Sequence, residues 1–231
     1  MTTAWIQRQE AQMLYSTTTF RRLIDSAARP GKLNQLAYPE FLGEPPFYWS
    51  NLAQTERPVN LYALGTLLTL LDSEVSFILA ANGQELDLLS SAVQWVTLRS
   101  GAKLAELTVA NFGLFCDGTS DGLLTTLDQG SVLEPELSAT AIYCVEQLSN
   151  GPASDAGVTL ELSGPGIATT SLVNIIGLSP KEPALFQITQ RDYPLGVDVF
   201  IVDAAGQCLG LPRSTKIKDL SPAPSLGGRG H

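Results

Sequence analysis

Two short segments place a charge or a glycine loop where an anion could be held. Asp198 heads the apolar run Val197 to Val202, and Arg213-Ser214-Thr215 follows the shorter run Gln207 to Leu211. A carboxylate and a guanidinium at the ends of otherwise buried strands either pair with each other or leave the arginine to bind an anion. Residue types alone do not choose between these. Ser163-Gly164-Pro165-Gly166 follows another apolar run. Its main-chain N–H groups could face an anion, or it is a plain tight turn. It lacks the Gly-Lys-Ser/Thr of a Walker loop and the spacing of a dinucleotide fingerprint. Arg21 and Arg22 read as the first turn of a helix that starts after Thr18-Thr19, where the macrodipole disfavours cations. That local inconsistency marks an interface or ligand position, or is merely a solvated basic face.

Other chemistries find no residues. His231, the last residue, is the sole histidine, which removes Ser-His-Asp and Cys-His catalysis and histidine metal sites unless a partner supplies the imidazole. Lys32, Lys103, Lys181, Lys216 and Lys218 fall in turns or polar flanks. None sits in the apolar pocket that a pyridoxal phosphate Schiff base needs, so no such cofactor is expected. Asp and Glu are scattered without a convergent pair. Cys116, Cys144 and Cys208 lie far apart in apolar segments, which reads as reduced core thiols rather than a disulfide scaffold or metal cluster. A net charge of −9 argues against a general nucleic-acid binder and makes each basic residue count. The apolar runs fall short of the ~20 residues of a membrane span, and the N-terminus lacks a secretory h-region, so a cytoplasmic protein is expected.

The elements that must carry these residues follow from pattern. The segment Thr18–Arg29 is expected to be a capped helix stopped by Pro30-Gly31. Residues 38–58, rich in proline and aromatics, read as an irregular packed loop. Asn60–Leu71 reads as a buried helix, Val75–Ala80 as a strand, and Gln84–Leu98 as a second helix whose stripe includes Leu88 and Leu89. Short strands are expected over Leu104–Val109, Gly113–Cys116, Thr140–Val145 and Val158–Leu162, with a short helix near Leu123–Leu127 and another over Ser179–Arg191. Gly151–Gly157 reads as a surface loop. Tyr193–Leu211 reads as a turn followed by a hairpin closed at Asp203–Gly206. The pattern predicts a three-layer α/β fold with a mixed sheet, in one domain over 1–218 with a disordered tail over 219–231.

Five motifs in order, TFRRLIDSAARPG, LYALGTLLTLLD, LSGPGI, YPLGVDVFIVD and LPRST, resemble the H subunit of the bacterial carbon–phosphorus lyase system, the PhnH family of phosphonate metabolism proteins. Their spacing matches over roughly residues 13 to 216. The resemblance implies a fold similar to the large domain of pyridoxal-phosphate-dependent transferases, without the cofactor-binding residues. It implies a homodimer that joins the G, I and J subunits and, with the G, I and L proteins, couples an alkylphosphonate to the ribose C1 of ATP, displacing adenine. C–P cleavage itself then belongs to the J subunit. Matching residues carried over as ligand-binding or interface positions are Arg21, Arg22, Gly164, Gly166, Asp198, Arg213 and Thr215. They are not carried over as catalysts. Two other readings stand beside this one: an enzyme in its own right with its site at Gly164 and Arg213, and a relic transferase that binds a small anion without chemistry.

Overall fold

A mixed sheet forms the centre of the molecule, and each of its faces is covered by a different kind of layer. The structure, a computed structural model, describes residues 3–45, 59–151 and 157–221. Most of the expected aromatic loop, the middle of the Gly151–Gly157 loop and the tail from residue 222 lie outside the described residues. Strands β2 (Ser76–Ala81), β5 (Phe112–Phe115), β6 (Thr140–Cys144) and β10 (Asp198–Val202) run parallel at the centre. The short β4 (Lys103–Leu104) adds to β2 in parallel, while β3 (Gln84–Glu85), β11 (Gln207–Leu211) and β1 (Asn34–Gln35) pair antiparallel towards the edges.

Period-2 alternation assigns the two faces. Phe77, Leu79, Leu114, Ile142 and Val202 meet helices α1 (Thr3–Ala28), α2 (Leu61–Leu70) and α3 (Ser91–Ser100). Their neighbours Ile78, Phe115, Tyr143 and Ile201 point the other way. There they meet a second, four-stranded antiparallel sheet in the order β12 (Lys216–Asp219), β8 (Val158–Ser163), β9 (Ser171–Ile176), β7 (Gln147–Asn150), together with α4 (Glu182–Thr189). The α/β class and mixed sheet agree with expectation. The third layer, though, is mainly sheet, and two of its strands (β7 and β12) are polar and short enough to escape the hydrophobic pattern. Cys116, Cys144 and Cys208 are buried free thiols, and burial pushes Cys208 from its ordinary 9.0 up to about 12.

Four expectations are corrected. Helix α1 begins at Thr3, not after Thr18-Thr19. The Thr18 hydroxyl donates to the Leu14 carbonyl (2.8 Å), as that of Thr17 does to Met13 (2.9 Å), so Thr18 is satisfied inside the helix instead of capping one. Arg21 and Arg22 therefore sit in the helix interior, and no first-turn conflict exists. The expected helix from Gln84 begins only at Ser91, because Asn82-Gly83 turns the chain back from β2 into β3, and this dipeptide is the strongest short hairpin signal. The Asp87 carboxylate then accepts from the amides of Leu89 (2.9 Å) and Ser90 (3.2 Å), holding a turn in which Leu88 and Leu89 are exposed. Of Leu104–Val109, only the first residue is strand; Leu107–Val109 is a 3-10 turn. Asp219, given to the tail by the sequence, ends β12, and Ser221 Oγ accepts from the Thr159 amide at 3.1 Å.

Candidate functional site

The hairpin β10–β11 is built as its residues dictate, with Val199 opposite Leu211 and Val202 opposite Cys208. Its turn is held by buried Asp203. One carboxylate oxygen accepts from the amides of Ala205 (2.9 Å) and Gln207 (2.8 Å), and the other from Leu148 on β7 (2.9 Å), which ties the hairpin to the second sheet. Asn60, the N-cap of α2, donates to the carbonyls of Val202 and Asp203, both at 3.1 Å. After Leu211 the chain leaves the mixed sheet through Pro212-Arg213-Ser214-Thr215 and enters β12 of the other sheet. The polar exit is thus a bridge between sheets.

Asp198 and Arg213 pair. Arg213 Nη2 and Nε meet the two carboxylate oxygens at 2.7 Å and 3.2 Å, and the Arg213 amide donates to Oδ1 at 2.8 Å. Nη1 donates to the Pro135 carbonyl at 2.6 Å. The Nε and Nη2 edge of the guanidinium is taken by Asp198 and Nη1 by a main-chain carbonyl, so this arginine clamps the bridge onto the head of β10. The Gly164 loop lies against the same bridge. A Cβ on Gly164 would stand 3.0 Å from the Ser214 carbonyl oxygen. Gly166, at φ +81°, lets the backbone approach the last carbonyl of α1, since a Cβ there would clash with the Ala28 oxygen. A helix C-terminus is the electronegative end, so this face of the loop meets partial negative charge and disfavours an anion.

Beside the bridge opens a cleft of about 550 Å³, walled by Gln190, Arg191, Arg213, Thr215 and Lys216 with Pro165 of the glycine loop. Its lining holds three cations and no carboxylate. Arg191 and Lys216 have no carboxylate partner among the described residues. Thr215 is 2% exposed, and its Oγ1, like Gln190 Nε2, has no hydrogen-bond partner among the described residues. Of the expected site residues, the structure gathers Gly164, Asp198, Arg213 and Thr215 around this bridge, with Gly166 on the far side of the loop. Arg21 and Arg22, exposed on α1, do not line the cleft. Gln190, Arg191 and Lys216 were missed as a group, although scarce cations in a chain of net charge −9 were the available signal. A second cavity of about 370 Å³ opens at the carboxyl ends of β5 and β6, the usual ligand position in open α/β sheets. Its lining of Cys116, Cys144, Tyr38, Tyr62 and Glu146 carries an acid and no cation, which suits it poorly to an anion.

Fold and cleft together define an α/β protein with a mixed sheet and a basic cleft where its two sheets join. Residues 8–218 match the family model described as bacterial phosphonate metabolism protein (PhnH), and the chain belongs to that family. It is also similar to a curated relative from Stutzerimonas stutzeri named "Putative C-P lyase subunit protein HtxG", at 32% identity over 119 residues. That alignment covers 52% of this chain and only 56% of the relative. Among the described residues, no helix is long and apolar enough to cross a membrane.

Proposed function

We propose that this chain is a non-catalytic or co-catalytic subunit of a carbon–phosphorus lyase assembly in organic phosphonate catabolism. It acts with G, I and J partners, and with the L protein, in coupling an alkylphosphonate to the ribose of ATP. In that step a phosphonate oxygen bonds to ribose C1 and adenine leaves, giving a ribose 1-phosphonate 5-triphosphate. Homodimerisation, cytoplasmic location and a transferase-like fold belong to the same reading. The observation that carries it is the family match over residues 8–218.

The test is adenine release from ATP and methylphosphonate. The purified chain alone should release none, while co-expressed partners should co-purify with it and restore release. Release by the chain alone would overturn the subunit reading. It would favour the second reading, a stand-alone transferase-fold protein that acts on or binds a phosphorylated small molecule, for which the acid-free cationic cleft speaks.

A further inference from the structure

We propose that the cleft beside the β11–β12 bridge is a polyanion site, in which Lys216 and Arg191 take a phosphate or phosphonate group and Thr215 Oγ1 and Gln190 Nε2 donate to it. Four observations converge. The lining is cationic in an acidic protein. Arg213 is neutralised by Asp198, so the charge left to attract a ligand is that of Arg191 and Lys216, neither of which has a carboxylate partner among the described residues. A concave wall of one sign focuses the field on its opening.

The second pair of observations concerns the floor. Buried hydroxyl and amide donors are almost always hydrogen-bonded, and a native exception points to a missing partner. Thr215 and Gln190 supply two such exceptions in one cleft. The volume, about 550 Å³, suits a small molecule rather than a single ion. Arg213 is not a ligand contact here; its clamp on Asp198 and the Pro135 carbonyl fixes the course of the bridge and so the place of Thr215 and Lys216.

The assignment rests on the subunit reading only for the kind of anion, since a phosphonate and the triphosphate end of a nucleotide share one chemistry. Calorimetric titration of the full chain with tripolyphosphate, and separately with methylphosphonate, distinguishes the two sources. Saturable binding of at least one probe, weakening as salt rises, is expected. Lys216→Gln and Arg191→Gln should each weaken it about tenfold, or about 1.4 kcal/mol. Thr215→Val should weaken it while circular dichroism and melting remain those of the wild type. Lys103→Gln, on the exposed β4 edge, should leave binding unchanged. No saturable binding of either probe, or equal affinity in the Lys216 and Arg191 variants, overturns the site. Failure of the co-expressed partners to co-purify with a chain that still binds the probe would overturn the subunit reading alone.

Discussion

At the scale of single residues, Arg213 shows how a site-like motif resolves into a clamp. Its side chain is 15% exposed and that of Asp198 is 32% exposed, so solvent screens part of the attraction. Two side-chain contacts to one carboxylate and a third to Pro135 still make it more than a surface pair. Arg213→Ala should lower unfolding free energy by about 1.5–3 kcal/mol, the range for hydrogen bonds to charged groups. A double-mutant cycle with Asp198→Asn, read by urea unfolding, should show coupling of about 1 kcal/mol. Lys216→Gln should stay within about 0.5 kcal/mol of wild type, as an exposed substitution does. An unchanged urea midpoint for Arg213→Ala would show that the clamp carries no stability.

Among elements, α4 is fastened at its start rather than along its length. Glu182 in its first turn is fully buried and accepts from Ser120 Oγ (2.8 Å), the Ser120 amide (2.8 Å) and Tyr143 Oη (2.7 Å). A carboxylate at a helix N-terminus also meets the positive end of the macrodipole. Burial, and the Glu182 charge facing it, push the Tyr143 phenol well above its ordinary 10.0. The Tyr143 ring packs between Phe115 and Phe186, with centroids at 4.7 and 5.4 Å. One residue thus joins α4, the turn at Ser120 and strand β6. Glu182→Ala would strand three donors in the core and should destabilise by about 3 kcal/mol. Glu182→Gln keeps the shape, but its amide nitrogen opposes a donor, so its melting temperature should fall between wild type and Glu182→Ala. Equal melting of all three proteins would refute this account.

Across the whole molecule, the path of the chain ties the sheets together. The second sheet takes β7, β8 and β9 from the crossover between β6 and β10, then receives β12 from beyond the hairpin. Its inner face shares one core with the mixed sheet. Neither sheet can be exposed without opening that core, so unfolding should be a single transition. Fluorescence and circular dichroism should give coincident urea curves. Phe77→Ala under the helices and Leu160→Ala between the sheets should shift that same curve, each by about 2–5 kcal/mol. Two separated transitions would mean that the sheets are independent units.

Elements whose cause is local follow from residue pattern alone. The apolar helix at Asn60–Leu71, the turn at Tyr193–Gly196 and the hairpin closed at Asp203–Gly206 are legible, because period and turn chemistry act within a few residues. The start of α1 is not. Thr18 looks like a cap on paper, and only the continuous helix before it shows that its hydroxyl bonds backwards to Leu14. The second sheet was largely illegible as well, since the polar strands β7 and β12 become strands only by pairing with partners distant in the chain. The same holds for the cleft. Asp198, Arg213 and Thr215 were noticed for their types, but pairing Arg213 with Asp198, leaving Lys216 and Arg191 without acids, and bringing Gln190 beside Thr215 required the tertiary fold. Ion pairing and burial depend on distances between segments, and pattern along the chain carries no such distances.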